Sequence, residues 1–138
     1  MKTELISREV AEQEFNKWVE AMDLDLDTSE MDAEDLTGFN AQKKKIMTAI
    51  QRGALVFNDD GEAVYTAQND RSKHKDPITF HERTGASIMA MDGKKKGHDA
   101  AKMYAVLADM CKVHPKVFAT FVGIDVKVSE AIFSLLMA

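Results

Sequence analysis

The sequence predicts an α+β fold that is mostly helical, with a small antiparallel sheet and helices at the C-terminal end. Apolar residues recur at helical spacing over 8–22 and 33–52, short extended runs follow over 54–82, and helical spacing returns near residue 99. A chain of 138 residues that is 45% hydrophobic can build one core. We therefore expect a single domain, 1–138.

Within this domain we distinguish an acidic N-terminal extension of two helices, 1–53, from a hairpin, strand and helical part, 54–138. Ser7 can cap a first helix from about Arg8 to Met22, because its hydroxyl can accept a free amide of the first turn. The apolar positions of this helix are Val10, Phe15, Trp18, Val19 and Met22.

A second helix should begin after Asp32, whose carboxylate can cap it. It should end at Gly53, because a residue without a Cβ readily takes the left-handed conformation that closes many helices. Its apolar side is predicted to consist of Leu36, Phe39, Ile46, Met47 and Ile50.

The extended runs 54–57 and 62–66 flank Asn58-Asp59-Asp60-Gly61, a composition that favours a tight turn. They predict a hairpin. Residues 68–77 are polar and lack periodicity, so we interpret them as a mobile connection to a third strand over 78–82. These strands form the expected small sheet.

Helical segments follow the sheet. A short helix starting at Thr84 or Ser87 should contain Ile88, Met89 and Met91 and stop at Gly93. A longer helix is expected over about 99–112, and a segment over 116–122 begins after a proline. Asp125 can cap the final helix, which runs through residue 136. The apolar side of the longer helix is Met103, Val106, Leu107 and Met110.

The charge and composition disfavour several classes of protein. Residues 1–36 carry three basic and twelve acidic side chains, while the runs Lys43-Lys44-Lys45 and Lys94-Lys95-Lys96 contain no aromatic residues for base stacking. No apolar run approaches the roughly 20 residues that a membrane helix needs. We expect neither nucleic acid nor membrane as a partner, a cytoplasmic location, and a buried structural role for the lone Cys111.

The stretch 23–34 resembles a twelve-residue calcium loop, with the candidate ligands Asp23, Asp25, Asp27 and Glu34. Thr28 replaces the glycine that permits the sharp turn, and no second loop exists to pair with it. The alternative is an acidic connection whose Asp and Ser side chains cap the second helix. The sequence favours this alternative and predicts no metal site.

The remaining motifs for catalysis are weak. His74, His81, His98 and His114 lack the spacing of a zinc site, and the glycines do not form a phosphate-binding loop. His81 and Glu82 are adjacent on a strand, so they should point to opposite faces. We therefore expect no enzyme activity and no cofactor.

The last twenty-odd residues carry more apolar side chains than short helices usually bury. A partner or a second copy could cover them, which leaves a homo-oligomer open. The predicted partner-binding residues are Phe118, Phe121, Ile132, Phe133 and Leu136.

Residues 61–138 resemble the tail assembly chaperones of long-tailed bacteriophages. The resemblance rests on the strand 78–82, the turn Glu82-Arg83-Thr84-Gly85-Ala86, the helical run 105–110 and the terminal segment that begins at Asp125. Residues 1–53 depart from the short members of that family, which lack such helices.

The resemblance implies a non-enzymatic protein that binds the tape measure protein and assists polymerisation of the tail tube, with the tail tube protein as a second partner. It would act in the cytoplasm of the bacterial host and be absent from the mature virion. Two alternatives remain open. One is a structural phage component, such as a head-tail connector or minor tail protein, and the other is a calcium-responsive regulator.

Overall fold

The computed structural model describes residues 5–24, 26–89 and 99–137. It confirms the α+β prediction, with a three-stranded antiparallel sheet and helices at the C-terminal end. In chain order the elements are α1 (Arg8–Ala21), a 3₁₀ turn (Thr28–Glu30), α2 (Ala33–Gln51), β1 (Leu55–Phe57), β2 (Ala63–Tyr65), β3 (Ile78–Phe80), α3 (Gly85–Met89), α4 (Asp99–Cys111), α5 (Lys116–Ala119) and α6 (Ile124–Leu136).

The ends of the first two helices follow from local hydrogen bonding. The Ser7 hydroxyl accepts the amide of Val10 and begins α1, and the Asp32 carboxylate accepts the amide of Asp35 and begins α2. Gly53, with φ at +76°, ends α2 and turns the chain into β1. These capping predictions are confirmed.

The sheet is a meander in the order β1-β2-β3, with Val56 opposite Val64 and Val64 opposite Thr79. The Asn58 side chain accepts amides from Asp60 and Glu62 and so fixes the predicted turn. The hairpin prediction is confirmed, and β1 and β3 are the outer strands.

One hydrophobic core joins both parts of the chain. It includes Trp18 of α1, Ile46 of α2, Leu107 of α4 and Ile132 of α6, each at most 1% exposed. Helix α2 packs most extensively against α6. The two N-terminal helices therefore contribute side chains to the same core as the rest of the described chain.

Two positions that were assigned to apolar helix faces lie outside this core. Val10 is 41% exposed and Leu36 is 36% exposed, whereas Ile46, Met47 and Ile50 are buried. In α1 the neighbouring Ala11 is fully buried, so the chain covers this part of the helix and Val10 lies off the buried face. In α2 the buried side begins only at Ile46, so the helix extends beyond the part that the rest of the chain covers.

The predicted partner-binding residues are covered by the chain itself. Phe118, Phe121, Ile132 and Leu136 are each at most 6% exposed, and Phe133 is half-buried against the same core. The expectation that they form a free apolar surface is therefore wrong. The reason is that α2, α4 and the sheet already pack on the short C-terminal helices.

Some predictions fall outside the described residues. These are the positions of Met91, Gly93, Lys94-Lys95-Lys96 and His98. Among the described helices, none is both long enough and apolar enough to pass through a lipid bilayer.

Phe118→Ala should destabilise the protein by about 3–5 kcal/mol, because the ring is fully buried and its removal leaves a cavity. The Phe118 ring stacks on Tyr104 and contacts Phe80 and Phe121. The measurement is chemical denaturation. Met89→Ala is the control and should change stability by no more than about 0.5 kcal/mol, because Met89 is 68% exposed. Equal effects of the two substitutions would contradict the burial of Phe118.

Candidate functional site

An apolar groove of about 510 Å³ opens between the start of α1, the end of α2 and strand β1. We call it the β1 groove. Its lining residues are Leu5, Ile6, Val10, Glu14, Ile50, Gly53, Leu55, Val56 and Phe57.

The backbone near Gln51 positions one wall of the groove. Its carbonyl accepts the amides of Leu5, at 2.5 Å, and of Ile6, at 3.2 Å, which holds the segment before α1 against the end of α2. A Cβ at Gly53 would lie 2.7 Å from the Leu5 side chain, so glycine allows this close approach as well as the positive φ. The groove is therefore a product of how α2 ends.

The β1 groove gathers exposed apolar side chains. Leu5 is 70% exposed, Val56 is 51% exposed and Val10 is 41% exposed. Single exposed apolar residues are ordinary, but several along one groove are typical of a surface that binds another molecule. Sequence analysis missed this site. The feature of the sequence that could have indicated this site is Val56, an apolar residue on the outward face of a hairpin strand.

Acidic side chains lie in and beyond the groove, and the basic side chain of Arg8 donates to the Gln51 side chain at 2.8 Å, at the end of α2. Glu14 lies in its wall, and its carboxylate is 3.6 Å from the ammonium of Lys17, whose side chain is 74% exposed. Asp59 and Asp60 are exposed in the turn that follows β1. Because the Glu14–Lys17 pair is open to solvent, its attraction is weak and Lys17 remains available to water.

A second open cavity, of about 500 Å³, lies between the 3₁₀ turn, α2 and α6. Leu26, Met31, Phe39 and Leu135 contribute apolar surface there, but Glu34, Asp35 and Gln42 also line it. Leu135 is 4% exposed and the other three apolar side chains are half-buried, whereas the β1 groove contains apolar side chains that are exposed. The β1 groove is the better candidate for binding apolar side chains.

The most polar cluster in the described interior is built around Asp125, which has no exposed surface. One carboxylate oxygen accepts the Tyr65 hydroxyl at 2.5 Å and the Gln68 amide at 2.7 Å. The other accepts the Asn69 amide at 3.0 Å and the Ser72 hydroxyl at 2.6 Å. Four donors therefore hold a buried negative charge.

These contacts also set the ionisation of the cluster. Burial raises the pKa of Asp125, but the hydrogen bonds from Ser72, Tyr65, Gln68 and Asn69 outweigh it and lower that pKa below its ordinary 3.8. Burial and the hydrogen bond to Asp125 raise the pKa of Tyr65. The carboxylate is thus held ionised and the phenol neutral. Since all four donors come from the chain itself, the cluster serves the fold and not a ligand.

Two sequence predictions are corrected by the cluster. Asp125 does not cap α6: Gly123 is at the cap position, and the Asp125 carboxylate binds the loop after β2. The connection 68–77 is not a free linker at its start, because Gln68 and Ser72 are buried and Ser72 also accepts the Val122 amide at 2.9 Å. The role of Asp125 could not be predicted from its neighbours in the sequence, because its hydrogen-bond partners are 53 to 60 positions away.

His81 contacts Glu62 through its Nδ1 atom, at 2.5 Å, instead of pairing with the adjacent Glu82. Burial raises the pKa of Glu62, but hydrogen bonds with Asn58 and His81 and the charges of His81 and Lys112 lower it overall. This pair joins the β1–β2 turn to the end of β3. It therefore supports the hairpin.

The residues of the calcium-like loop have separate structural positions. Asp27 caps the 3₁₀ turn by accepting the amide and hydroxyl of Ser29, and these hydrogen bonds lower its pKa. Glu34 lies in the first turn of α2, and Asp25 is outside the described residues. Over 5–24, 26–89 and 99–137, no three acidic, histidine or cysteine side chains are grouped to hold a metal ion.

The single thiol, Cys111, is buried as predicted, and burial raises its pKa.

Comparison of the chain with protein-family models, with curated proteins and with solved structures gives no match.

Asp125→Asn should destabilise the protein by about 3 kcal/mol or more, because the new amide group faces donors where an acceptor is required. Chemical denaturation near neutral pH measures the loss. Asp109→Asn is the matched control on the exposed side of α4 and should have little effect. Equal stability of the two variants would contradict the role assigned to the cluster.

The stability difference between wild type and Asp125→Asn should shrink as the pH falls below about 4. Because the folded-state pKa of Asp125 is lower than its ordinary 3.8, the carboxylate contributes stability above that pH and loses it as the pH falls toward the folded-state value. Denaturation curves of both proteins over the acid range test this. A difference that stays constant from about pH 6 to pH 2.5 would contradict the lowered pKa.

Proposed function

We propose that this chain is a non-enzymatic tail assembly chaperone of a long-tailed bacteriophage. In this proposal it binds the tape measure protein in the host cytoplasm, assists tail tube polymerisation and is absent from the finished particle. The resemblance of residues 61–138 to that family of chaperones supplies the partner. The observation that carries the binding role is the β1 groove, which residues 5–57, outside that stretch, build.

A chaperone for a long, aggregation-prone chain needs accessible apolar surface that is itself kept soluble. The β1 groove offers Leu5, Val10 and Val56 to solvent. Burying such a side chain against a partner is worth on the order of 1–3 kcal/mol each, so a short contact gives useful but reversible binding. This combination suits a protein that must later release its client.

The charge distribution supports the requirement that the complex stays soluble. Residues 1–36 carry three basic against twelve acidic side chains, and helix α1 places Glu14 in the groove wall. Like charges on successive copies keep chaperone–client complexes apart in solution. The N-terminal helices therefore have two roles in this proposal. They build the groove, and their acidic side chains, such as Glu20 at the end of α1 and Glu34 at the start of α2, keep the complex soluble from the helix ends away from the groove.

Co-expression with the tape measure protein tests the proposal. Wild type should hold the tape measure protein in the soluble fraction and co-purify with it. Val56→Lys should abolish this retention, because it places a charge in the apolar groove, while leaving folding intact, since Val56 is exposed on an outer strand where lysine is tolerated. Met89→Lys, at an exposed apolar side chain outside the groove, should retain the client as wild type does.

Two results would contradict the proposal. One is a tape measure protein that is equally insoluble with and without the chain. The other is the presence of the chain in purified, finished particles, which would instead favour a structural phage component such as a connector or minor tail protein.

A further inference from the structure

We propose that the outer edge of β1 binds an extended, basic segment of the partner, which adds a fourth strand to the sheet. This inference rests on the proposed function, because it specifies how the β1 groove holds its client. The observation behind it is that the groove runs along an outer strand.

The register of the hairpin shows which backbone groups face outward. Ala54 accepts the Thr66 amide at 2.9 Å, and the Asn58 amide donates to Glu62 at 3.0 Å, so these positions bond to β2. In an antiparallel pair, residues whose amide and carbonyl bond to the partner strand alternate with residues whose amide and carbonyl point away from it. The amides and carbonyls of Leu55 and Phe57 therefore point to the outer side of β1. Within the described residues, no strand pairs with that side of β1.

The groove can also hold side chains of an added strand. Successive side chains of a strand point to opposite faces, so every second one can enter the β1 groove. Leu5 and Val10 line it beside Val56, and this gives apolar contacts next to the outward backbone groups. Strand addition of this kind combines main-chain hydrogen bonds with pockets for alternate side chains.

An extended occupant fits these features better than a helical one. A helix satisfies its own amides and carbonyls internally, so it would leave the outward groups of Leu55 and Phe57 unpaired under a buried contact. An extended segment pairs them.

The charges favour a basic partner over a second copy of the chain. Glu14 lines the groove, and Asp59 and Asp60 are exposed just beyond β1. Two basic side chains lie nearby: Lys17 contacts Glu14 in a solvent-exposed, easily exchanged pair, and Arg8 is held by its hydrogen bond to the Gln51 side chain. A second copy would bring together two chains of net charge −5, whereas a lysine or arginine on an extended segment would be attracted.

The probe is the labelled peptide acetyl-Lys-Val-Thr-Val-Lys-Val-Thr-amide, with binding to the full chain followed by fluorescence anisotropy at low salt. Two derivatives serve as matched controls. One carries N-methyl groups on the valine amides, and the other carries them on the lysine and threonine amides. Because only one of these sets can face β1, one derivative should lose affinity by roughly tenfold or more while the other stays within about twofold of the parent.

Variants of the peptide and of the chain test the contributions of the groove and of the peptide's positive charge. Replacing both lysines of the peptide by glutamate should weaken binding by roughly tenfold. Val56→Lys in the chain should have a similar effect, and Met89→Lys should have none. Equal binding of the two methylated peptides, or no binding of the parent at millimolar concentration, would overturn the inference. So would a dimer of the free chain that Val56→Lys dissociates, because a second copy would then occupy the edge.

These results are separable from those for the proposed function. If the chain retains the tape measure protein but both methylated peptides bind alike, strand addition fails and the chaperone proposal stands. If strand addition holds but co-expression gives no retention, the edge binds extended basic segments and the chaperone proposal fails.

Discussion

The fold depends on how one buried charge is satisfied. Asp125 has no exposed surface, and its carboxylate accepts hydrogen bonds from Tyr65 at the end of β2, from Gln68 and Asn69 after it, and from Ser72. A buried carboxylate without such donors would cost several kcal/mol, so the loop and α6 must stay together for the core to close. The cluster thereby connects the sheet to the last helix, which packs on α2.

A second feature of the sheet is the apolar surface that stays exposed along β1. The core side chains of the sheet, including Leu55 and Tyr65, are held toward the helices, while Val56 alternates outward. The end of α2 then brings Leu5 beside β1 through the Gln51 carbonyl. In the described part of the chain, no large apolar side chain of α4, α5 or α6 is exposed, whereas Leu5, Val10 and Val56 are exposed along the β1 groove. Our proposals place partner binding along this groove.

Features that act over a few residues could be predicted from the sequence. The caps Ser7 and Asp32, the terminator Gly53 and the hairpin turn each depend on neighbours within about four positions. The Asp125 cluster could not be predicted, because its side-chain partner Tyr65 lies 60 positions away in the chain. The burial of Phe118 depends likewise on which elements pack over it. The β1 groove could not be predicted, because it depends on how the end of α2 packs beside β1. The outward-facing Val56 was the sequence feature that indicated part of it.

Binding of a partner along the outer edge of β1 can be measured by residue-resolved amide hydrogen exchange of the chain, alone and in complex with the tape measure protein. We expect exchange at Leu55 and Phe57 to slow by roughly tenfold or more in the complex, because their outward amides become hydrogen-bonded. The amide of Val56, already directed toward β2, should change much less. Unchanged exchange at Leu55 and Phe57, with new protection confined to α5 and α6, would show that the partner binds the C-terminal helices instead of the edge of β1.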